Sequence, residues 1–456
     1  MTMNLGGKKI LVVGAGVTGC ATAGFAQKLG GIVTIADDAG REALSQELDA
    51  LERLGVRLIA GSVAAAGVDY DLCVLSPGVS INDPRVKSLE NAGCEITGEI
   101  ELASRFIAAP IIAVTGTNGK TTVTKLIGNM LKAAGKKVFV GGNLGNPMIE
   151  AVGGDYETAV IEVSSFQLET CRTFKPSVAV WLNLTGDHLD RHGDMEGYAA
   201  AKARIFRNQT GADAAVVNRE DAWGWKAGRE SAATLLPYSV ERALGVGAWL
   251  EGDDIVLLMP GTDGVRLPAE PMELRGLHNK GNVLAATLAV AALGVAPASV
   301  WGEVQKFRGL GHRLEKFHEW RGITFVDDSK ATNVDAAQRA METVGGPLVW
   351  LAGGVEKGSD YLPLRTGLEK NARLMVLVGQ NSARMASELN GAAPLVLATD
   401  WREGVTRAIA AAKTGDTVLL APACSSFDFF KSYAERGEVF QRLVKEETRR
   451  IDGGNG

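Results

Sequence analysis

The sequence predicts an α/β protein of three domains, each built on an open, mostly parallel sheet covered by helices. Three observations predict it. The chain has 456 residues, too many for one core at roughly 100 to 200 residues per domain. Apolar runs rich in β-branched residues alternate with helical runs, as in a sheet whose crossovers are helices. Several of these runs end in turns of Gly, Ser or Asp, at the strand ends where ligands bind open α/β sheets.

The first domain, residues 1–98, opens with "KKILVVGAGVTGCATAGFAQKLGGIVTIADD". An apolar strand leads into Gly14-x-Gly16-x-x-Gly19, an Ala-rich helix, a second strand and then Asp37 and Asp38. This is the dinucleotide fingerprint of a Rossmann-like domain. Alone it suggests an NAD-linked oxidoreductase, but the same turn cradles any pyrophosphate, including that of a UDP-sugar. Further on, "YDLCVLSPGVS" reads as a buried strand ending in Ser76-Pro77-Gly78.

The second domain, residues 99–309, contains "AVTGTNGKTTVTKLIGNML". Strand-prone residues up to Val114 give way to a glycine turn. Lys120-Thr121-Thr122 then open a helix with apolar Val123, Leu126, Ile127 and Met130. Free N–H groups and the helix dipole at such a junction face an anion. Val114 stands where the common phosphate loop has glycine, so this is a shorter G-x-x-G-K-T loop. Its order of strand, turn, Lys-Thr pair and helix predicts an ATP or GTP site, with Lys120 on the phosphates and Thr121 on magnesium. "AVIEVSSFQLE", "VAVWLNLTGDHLDRHG" and a helix from Met195 to Phe206 follow, with a small β excursion within 233–275.

The third domain, residues 310–456, carries four strand-like runs, in "GITFVDDSKATN", "PLVWLAGGVEKGSD", "LMVLVGQ" and "DTVLLAPACSSFDFFKSYAERG". Lys330 and Thr332, Lys357, and Ser425, Ser426 and Lys431 fall in turns at three strand ends. Together they form an anion-binding rim suited to a small acid.

Composition narrows the partners. Hydrophobic residues make up 46% and charged residues 22%, as in ordinary globular proteins. The net charge of −5, from 53 acidic and 48 basic residues, argues against a nucleic-acid footprint. Cys20, Cys73, Cys94, Cys171 and Cys424 form no C-x-x-C and read as buried thiols in a reducing compartment. The N-terminus leaves no room for a secretory h-region, and no apolar run nears the roughly 18 residues of a membrane span. A cytoplasmic protein is expected, with neither nucleic acid nor membrane as partner.

Some residues stay open on spacing alone. Glu162 ends the strand "AVIEV", where a buried carboxylate suits a cation or an arginine partner. His188 and His192 are four apart as in zinc peptidases, but the required Glu is Leu189. His188, after Asp187, then reads as a metal or phosphate contact or as a capping histidine. Lys202 in "YAAAKARIF" reads as a solvated helix lysine.

Taken together, "TGTNGKTT", "EVSSFQLE", "NLTGDHLDRH", "GLHNKGN", "GHRLE" and "DDSKATN" resemble the Mur ligases of bacterial peptidoglycan synthesis over essentially the whole chain. "SSFQLE" and "DSKATN" favour the member that adds D-glutamate. The resemblance implies ATP-dependent ligation of D-glutamate to UDP-N-acetylmuramoyl-L-alanine through an acyl phosphate, by a monomer. It implies that Gly116, Thr117, Asn118, Gly119, Lys120, Thr121 and Thr122 cradle the ATP phosphates, with Asn279, Arg313 and Asp328 as further ATP contacts. Two magnesium sites would draw on Thr121, Glu162, His188 and a carbamylated Lys202. Lys120, His188 and Lys202 are the implied catalytic residues.

The same resemblance assigns Val17, Thr18, Asp37, Ser76, Gly78 and Asn143 to the UDP-sugar side. Lys330, Thr332, Lys357, Ser426 and Tyr433 fall to D-glutamate. Two departures stand out. The arginine that some members place soon after the acidic residue is delayed here to Arg41, and Tyr433 replaces a Phe. A folylpolyglutamate synthase would not need the N-terminal glycine fingerprint, and a dehydrogenase would leave the phosphate loop idle. A non-catalytic nucleotide sensor would have no use for the acid rim.

Overall fold

The computed structural model describes the chain except residues 1–2, 275, 310, 357, 359 and 454–456, and the side chain at 190. Three sheets organise it. The first has the order β3-β2-β1-β4-β5, all parallel, from β1 (Lys9–Val13), β2 (Ile32–Asp37), β3 (Arg57–Ala60), β4 (Leu72–Leu75) and β5 (Glu95–Gly98). The strand order reverses between β1 and β4, which opens a crevice at their carboxyl ends.

The central sheet has nine strands in the order β14-β13-β12-β11-β10-β9-β6-β8-β7. They are β6 (Ile111–Thr115), β7 (Val138–Gly142), β8 (Thr158–Glu162), β9 (Val178–Trp181), β10 (Ala214–Asn218), β11 (Thr234–Ser239), β12 (Gly247–Glu251), β13 (Asp254–Leu258) and β14 (Val265–Pro268). Pairing is parallel from β7 to β12 and antiparallel from β12 to β14. The expected excursion at 233–275 is therefore an extension of the same sheet. β6, β8 and β9 are wholly buried, which is why they read as continuous apolar runs. The helix Lys120–Ala133 buries Val123, Leu126, Ile127 and Met130 at 0% exposure, the stripe its spacing predicts.

The third sheet runs β15-β16-β20-β17-β18-β19, from β15 (Glu315–Trp320), β16 (Ile323–Asp327), β17 (Leu348–Ala352), β18 (Ala372–Val378), β19 (Leu395–Ala398) and β20 (Thr417–Leu420). Only β15 is antiparallel to its neighbour. The four expected strands are present, and two edge strands, β15 and β19, join them.

By packing, the chain divides into two units. The first contains Met1–Leu184, Glu196–Met272 and Lys280–Phe307, hence the first two sheets. The second contains Thr185–Met195, Glu273–Asn279 and Arg308–Gly456.

Inside the first unit, Glu101, with 0% exposure, joins the helix Glu99–Ser104 after β5 to the chain before β9. It accepts the backbone N–H groups of Arg172, Thr173 and Phe174 at 2.9–3.0 Å. Burial raises its pKa, but these bonds and the Thr173 hydroxyl outweigh that and hold it below the usual range.

Candidate active site

In the first unit, β6 ends at Thr115, directly before the double-glycine turn, and the backbone of the turn dictates the glycines. Gly116 has φ 149° and Gly119 φ 86°. A Cβ on Gly119 would stand 2.5 Å from Asn282 Oδ1, and one on Gly116 3.0 Å from Leu182 Cβ. Asn183, which the sequence reading did not single out, shapes the turn from below. Its carbonyl accepts Thr117 N–H at 2.9 Å, and its side chain accepts Asn118 N–H at 2.8 Å and donates to Asn118 O at 3.1 Å. Lys120 folds back over the turn, with Nζ donating to Gly116 O at 2.8 Å and Thr117 O at 2.9 Å.

Lys202 is not a solvated helix lysine. It is 1% exposed, and its Nζ donates to the same Gly116 carbonyl at 2.9 Å while lying 4.6 Å from the Tyr198 ring centroid. Tyr198 Oη meets Thr117 Oγ1 at 3.3 Å. Two lysines from different helices thus converge on one phosphate-loop carbonyl.

Glu162 lies across from Val114 in the β6–β8 register and is 3% exposed. Its Oε1 accepts Asn143 Nδ2 at 2.8 Å, and its Oε2 has no hydrogen-bond partner among the described residues. Among the described residues no arginine pairs with it, the role the alternative reading offered. A buried carboxylate oxygen left open beside a phosphate loop, with Thr121 8% exposed at the helix start, fits a hard divalent cation. Ser164 then caps the helix Ser165–Glu169 through a reciprocal pair with Gln167, which ends the strand just beyond Glu162.

At the first sheet's crevice, Asp37 Oδ2 accepts Ala15 N–H at 2.7 Å and Oδ1 accepts Ala39 N–H at 2.8 Å. It holds the glycine turn from the end of β2. Gly14, φ 99°, faces Ser76, whose Oγ a Cβ would meet at 2.5 Å. Val17 is 66% exposed at the start of the next helix, followed by half-buried Thr18, and Gly78 is exposed. Arg41 is spent on Asp49. Arg85 instead reaches the acidic pair, 2.7 Å from Asp38.

In the second unit, the carboxyl ends of β16, β20 and β17 lie side by side. Asp328 follows β16 directly. Burial pushes its pKa up to about 7, against the pull of nearby Arg313 and the Leu314 N–H. Lys330 Nζ sits 4.0 Å from the Tyr433 ring centroid, a cation–π pair that gives the aromatic ring at 433 a role independent of its hydroxyl. Thr332 is half-buried, while Ser426 is 2% exposed. Lys357 lies outside the described residues.

His188 has φ 56° and its Nε2 is 3.6 Å from Asp187 Oδ2, which accepts Asn333 Nδ2 at 3.3 Å. Asn279 lies in the first turn of the helix Leu277–Ala292, its N–H donated to Gly276 O at 3.0 Å. Next to it, burial lowers the His278 pKa to about 4, with Arg339 and Arg313 contributing.

Arg436 was missed by the sequence reading. Its guanidinium has 0% exposure and donates to Ser329 Oγ at 2.9 Å, Ser329 O at 2.8 Å and Cys424 O at 3.1 Å. It ties the turns after β16 and β20 from beneath. Burial lowers its pKa to about 10.

Residues 8–98 match the MurD-like N-terminal domain of Mur ligases, 114–290 the Mur ligase middle domain and 312–424 the Mur ligase glutamate ligase domain. The chain belongs to the Mur ligase family. Among its relatives, a UDP-N-acetylmuramoylalanine–D-glutamate ligase of Pelotomaculum thermopropionicum is 43% identical, over 96% of this chain and 97% of its own. One of Acidobacterium capsulatum is 42% identical over 97% of each.

Among solved structures, a pseudomurein peptide ligase type C from Methanothermus fervidus shares the fold at TM-score 0.63 and 18% identity, covering 96% of this chain and 99% of that one. MurF ligase from Thermotoga maritima, solved with ADP, shares it at TM-score 0.58 and 18% identity over 99% and 98%. Among the described residues no helix is long and apolar enough to cross a membrane.

Proposed function

We propose that this chain uses ATP to join D-glutamate to UDP-N-acetylmuramoyl-L-alanine. The observation that carries this reading is identity above 40% to D-glutamate ligases over at least 96% of the chain, on a chain whose phosphate-loop carbonyl at Gly116 is met by two lysines, Lys120 from the loop and Lys202 from another helix. The three domains are taken as 1–98 for the UDP-sugar, 99–309 for ATP and 310–456 for D-glutamate. The reaction is assigned to the cytoplasm, with the single chain as the working unit.

The chemistry answers a simple obstacle. A carboxylate resists an amine because it is anionic and its oxygen leaves poorly. Its attack on the γ-phosphorus of ATP expels ADP and gives an acyl phosphate. The D-glutamate amine then adds to the carbonyl carbon, loses a proton, and phosphate departs with the original carboxylate oxygen. Gly116 to Thr122 hold the phosphates by backbone N–H groups, and Lys120 neutralises charge on the transferring group. Lys330, Thr332, Lys357 and Ser426 fix the amino acid's carboxylates, with Tyr433 backing Lys330.

Glu162, Thr121, His188 and a carbamylated Lys202 are the residues that would hold magnesium. When bound, magnesium supplies charge neutralisation at the phosphoryl oxygens. Lys202, 1% exposed beside the Gly116 carbonyl, is the residue proposed to carry the carbamate.

The test is phosphate release from ATP with each substrate withheld in turn. Release that requires both the UDP-muramoyl substrate and D-glutamate, and is not supported by L-glutamate, is expected. Equal turnover of the L isomer, or release without the UDP-sugar, contradicts the reading.

A further inference from the structure

Beneath the strand-end turns of the second unit, Asp327 closes β16 with no solvent exposure. Its Oδ1 accepts the Ser329 N–H at 2.9 Å. Its Oδ2 lies 2.7 Å from His312 Nδ1 and accepts Gln441 Nε2 at 2.9 Å. The Gln441 amide also donates to Glu315 Oε2 at 3.2 Å, and that oxygen accepts the His312 N–H at 2.8 Å. The four residues close a ring, with the His312 backbone N–H making the link to Glu315. Its members come from the turn before β15, the first residue of β15, the end of β16 and the helix Tyr433–Gly453.

The ring holds a turn that would not hold itself. His312 has φ 59° and Leu314 φ 46°, conformations that non-glycine residues keep only where the surroundings impose them. The helix comes close enough to do so because position 437 is glycine: a Cβ there would meet His312 Nδ1 at 2.2 Å.

His312, Glu315 and Asp327 also bring one potential ligand atom each within 4.8 Å of one another, the makings of a metal site. The hydrogen bonds decide otherwise. Glu315 Oε2 and Asp327 Oδ2 both take the Gln441 amide donor, whose hydrogens repel a cation, and His312 Nδ1 is engaged by Asp327.

What the ring fixes lies on either side of it. Arg313 stands between the two left-handed residues, Asp328 follows Asp327, and the His312 carbonyl accepts the Lys330 N–H at 3.1 Å. One node therefore sets the backbone of Arg313 and Asp328, read above as nucleotide contacts, and of Lys330, read as a D-glutamate contact. We propose that His312 and Gln441 are positioning residues, acting through Asp327, that couple the grip on ATP to the grip on the amino acid. This rests on the functional reading above.

Gln441→Met removes both donors at nearly constant volume, and Gln441→Lys restores a donor for both carboxylates. KM for each of the three substrates is measured in the full-length enzyme and both variants. The expected result is that Met raises KM for ATP and for D-glutamate together, each about tenfold. KM for UDP-N-acetylmuramoyl-L-alanine stays within about twofold, and Lys returns both values toward wild type. A rise in only one of the two, an equal rise in all three, or no recovery with Lys overturns the coupling. Wild-type enzyme without D-glutamate-dependent phosphate release would instead refute the functional reading beneath it.

Discussion

Lys202 offers its Nζ to Gly116 O at 2.9 Å while 1% exposed. Carbamylation, proposed above for Lys202, needs the neutral amine, which is the form that adds carbon dioxide. The N–C bond forms, a proton leaves, and the product is an anion that suits magnesium. Lys202→Ala is therefore expected to lower turnover by about 100-fold or more, with partial recovery in added formate. The wild-type protein incubated with ¹³C-bicarbonate should show a carbamate resonance that the variant lacks. Near-normal turnover in the variant, or no carbamate signal in the wild type, contradicts the assignment. Nothing in "YAAAKARIF" foretells this burial, because helix spacing reports which residues share a face and not what that face packs against. Arg436 was illegible for the same reason: a lone arginine in a polar helix reads as solvated until the turns that surround it are known.

Among the elements, strand-end turns were the legible feature. Glycines that a backbone demands, as at Gly14, Gly116 and Gly119, are visible in sequence because no other residue serves there. β15 escaped because an edge strand needs no continuous apolar run: it is "EKFHEW", mostly half-buried or exposed, while β19, "LVLA", is apolar but only four residues long.

The junction between the first two sheets carries a titrating element. Glu99 begins the helix after β5, is 3% exposed, and its Oε1 accepts the Ile149 N–H at 2.6 Å, while Oε2 has no partner among the described residues. Burial pushes its pKa up to about 7. A folded carboxyl raised above its unfolded pKa binds the extra proton only in the folded state, so its contribution falls as pH rises from near 4.5 to 7. Glu99→Gln should therefore gain stability relative to wild type between pH 5 and pH 8, by a few kcal/mol at most, in paired denaturant melts. A relative loss over that range contradicts the burial argument.

At the scale of the whole molecule, three α/β sheets and their order along the chain were readable from alternating apolar runs and glycine turns. How packing divides the chain was not. The segment Thr185–Met195, with His188, falls in the second unit although the strands around it in sequence, β9 and β10, belong to the first. That grouping depends on tertiary contacts, which local patterns do not encode.

The central claim is that three substrates meet through an acyl phosphate, and oxygen bookkeeping tests it most directly. UDP-N-acetylmuramoyl-L-alanine labelled with oxygen-18 in its free carboxylate is turned over with ATP and D-glutamate, and the released phosphate is analysed by mass. Attack of that carboxylate on phosphorus, followed by amine addition and departure of phosphate, predicts one labelled oxygen per phosphate. Unlabelled phosphate, or label recovered in AMP, would contradict the account.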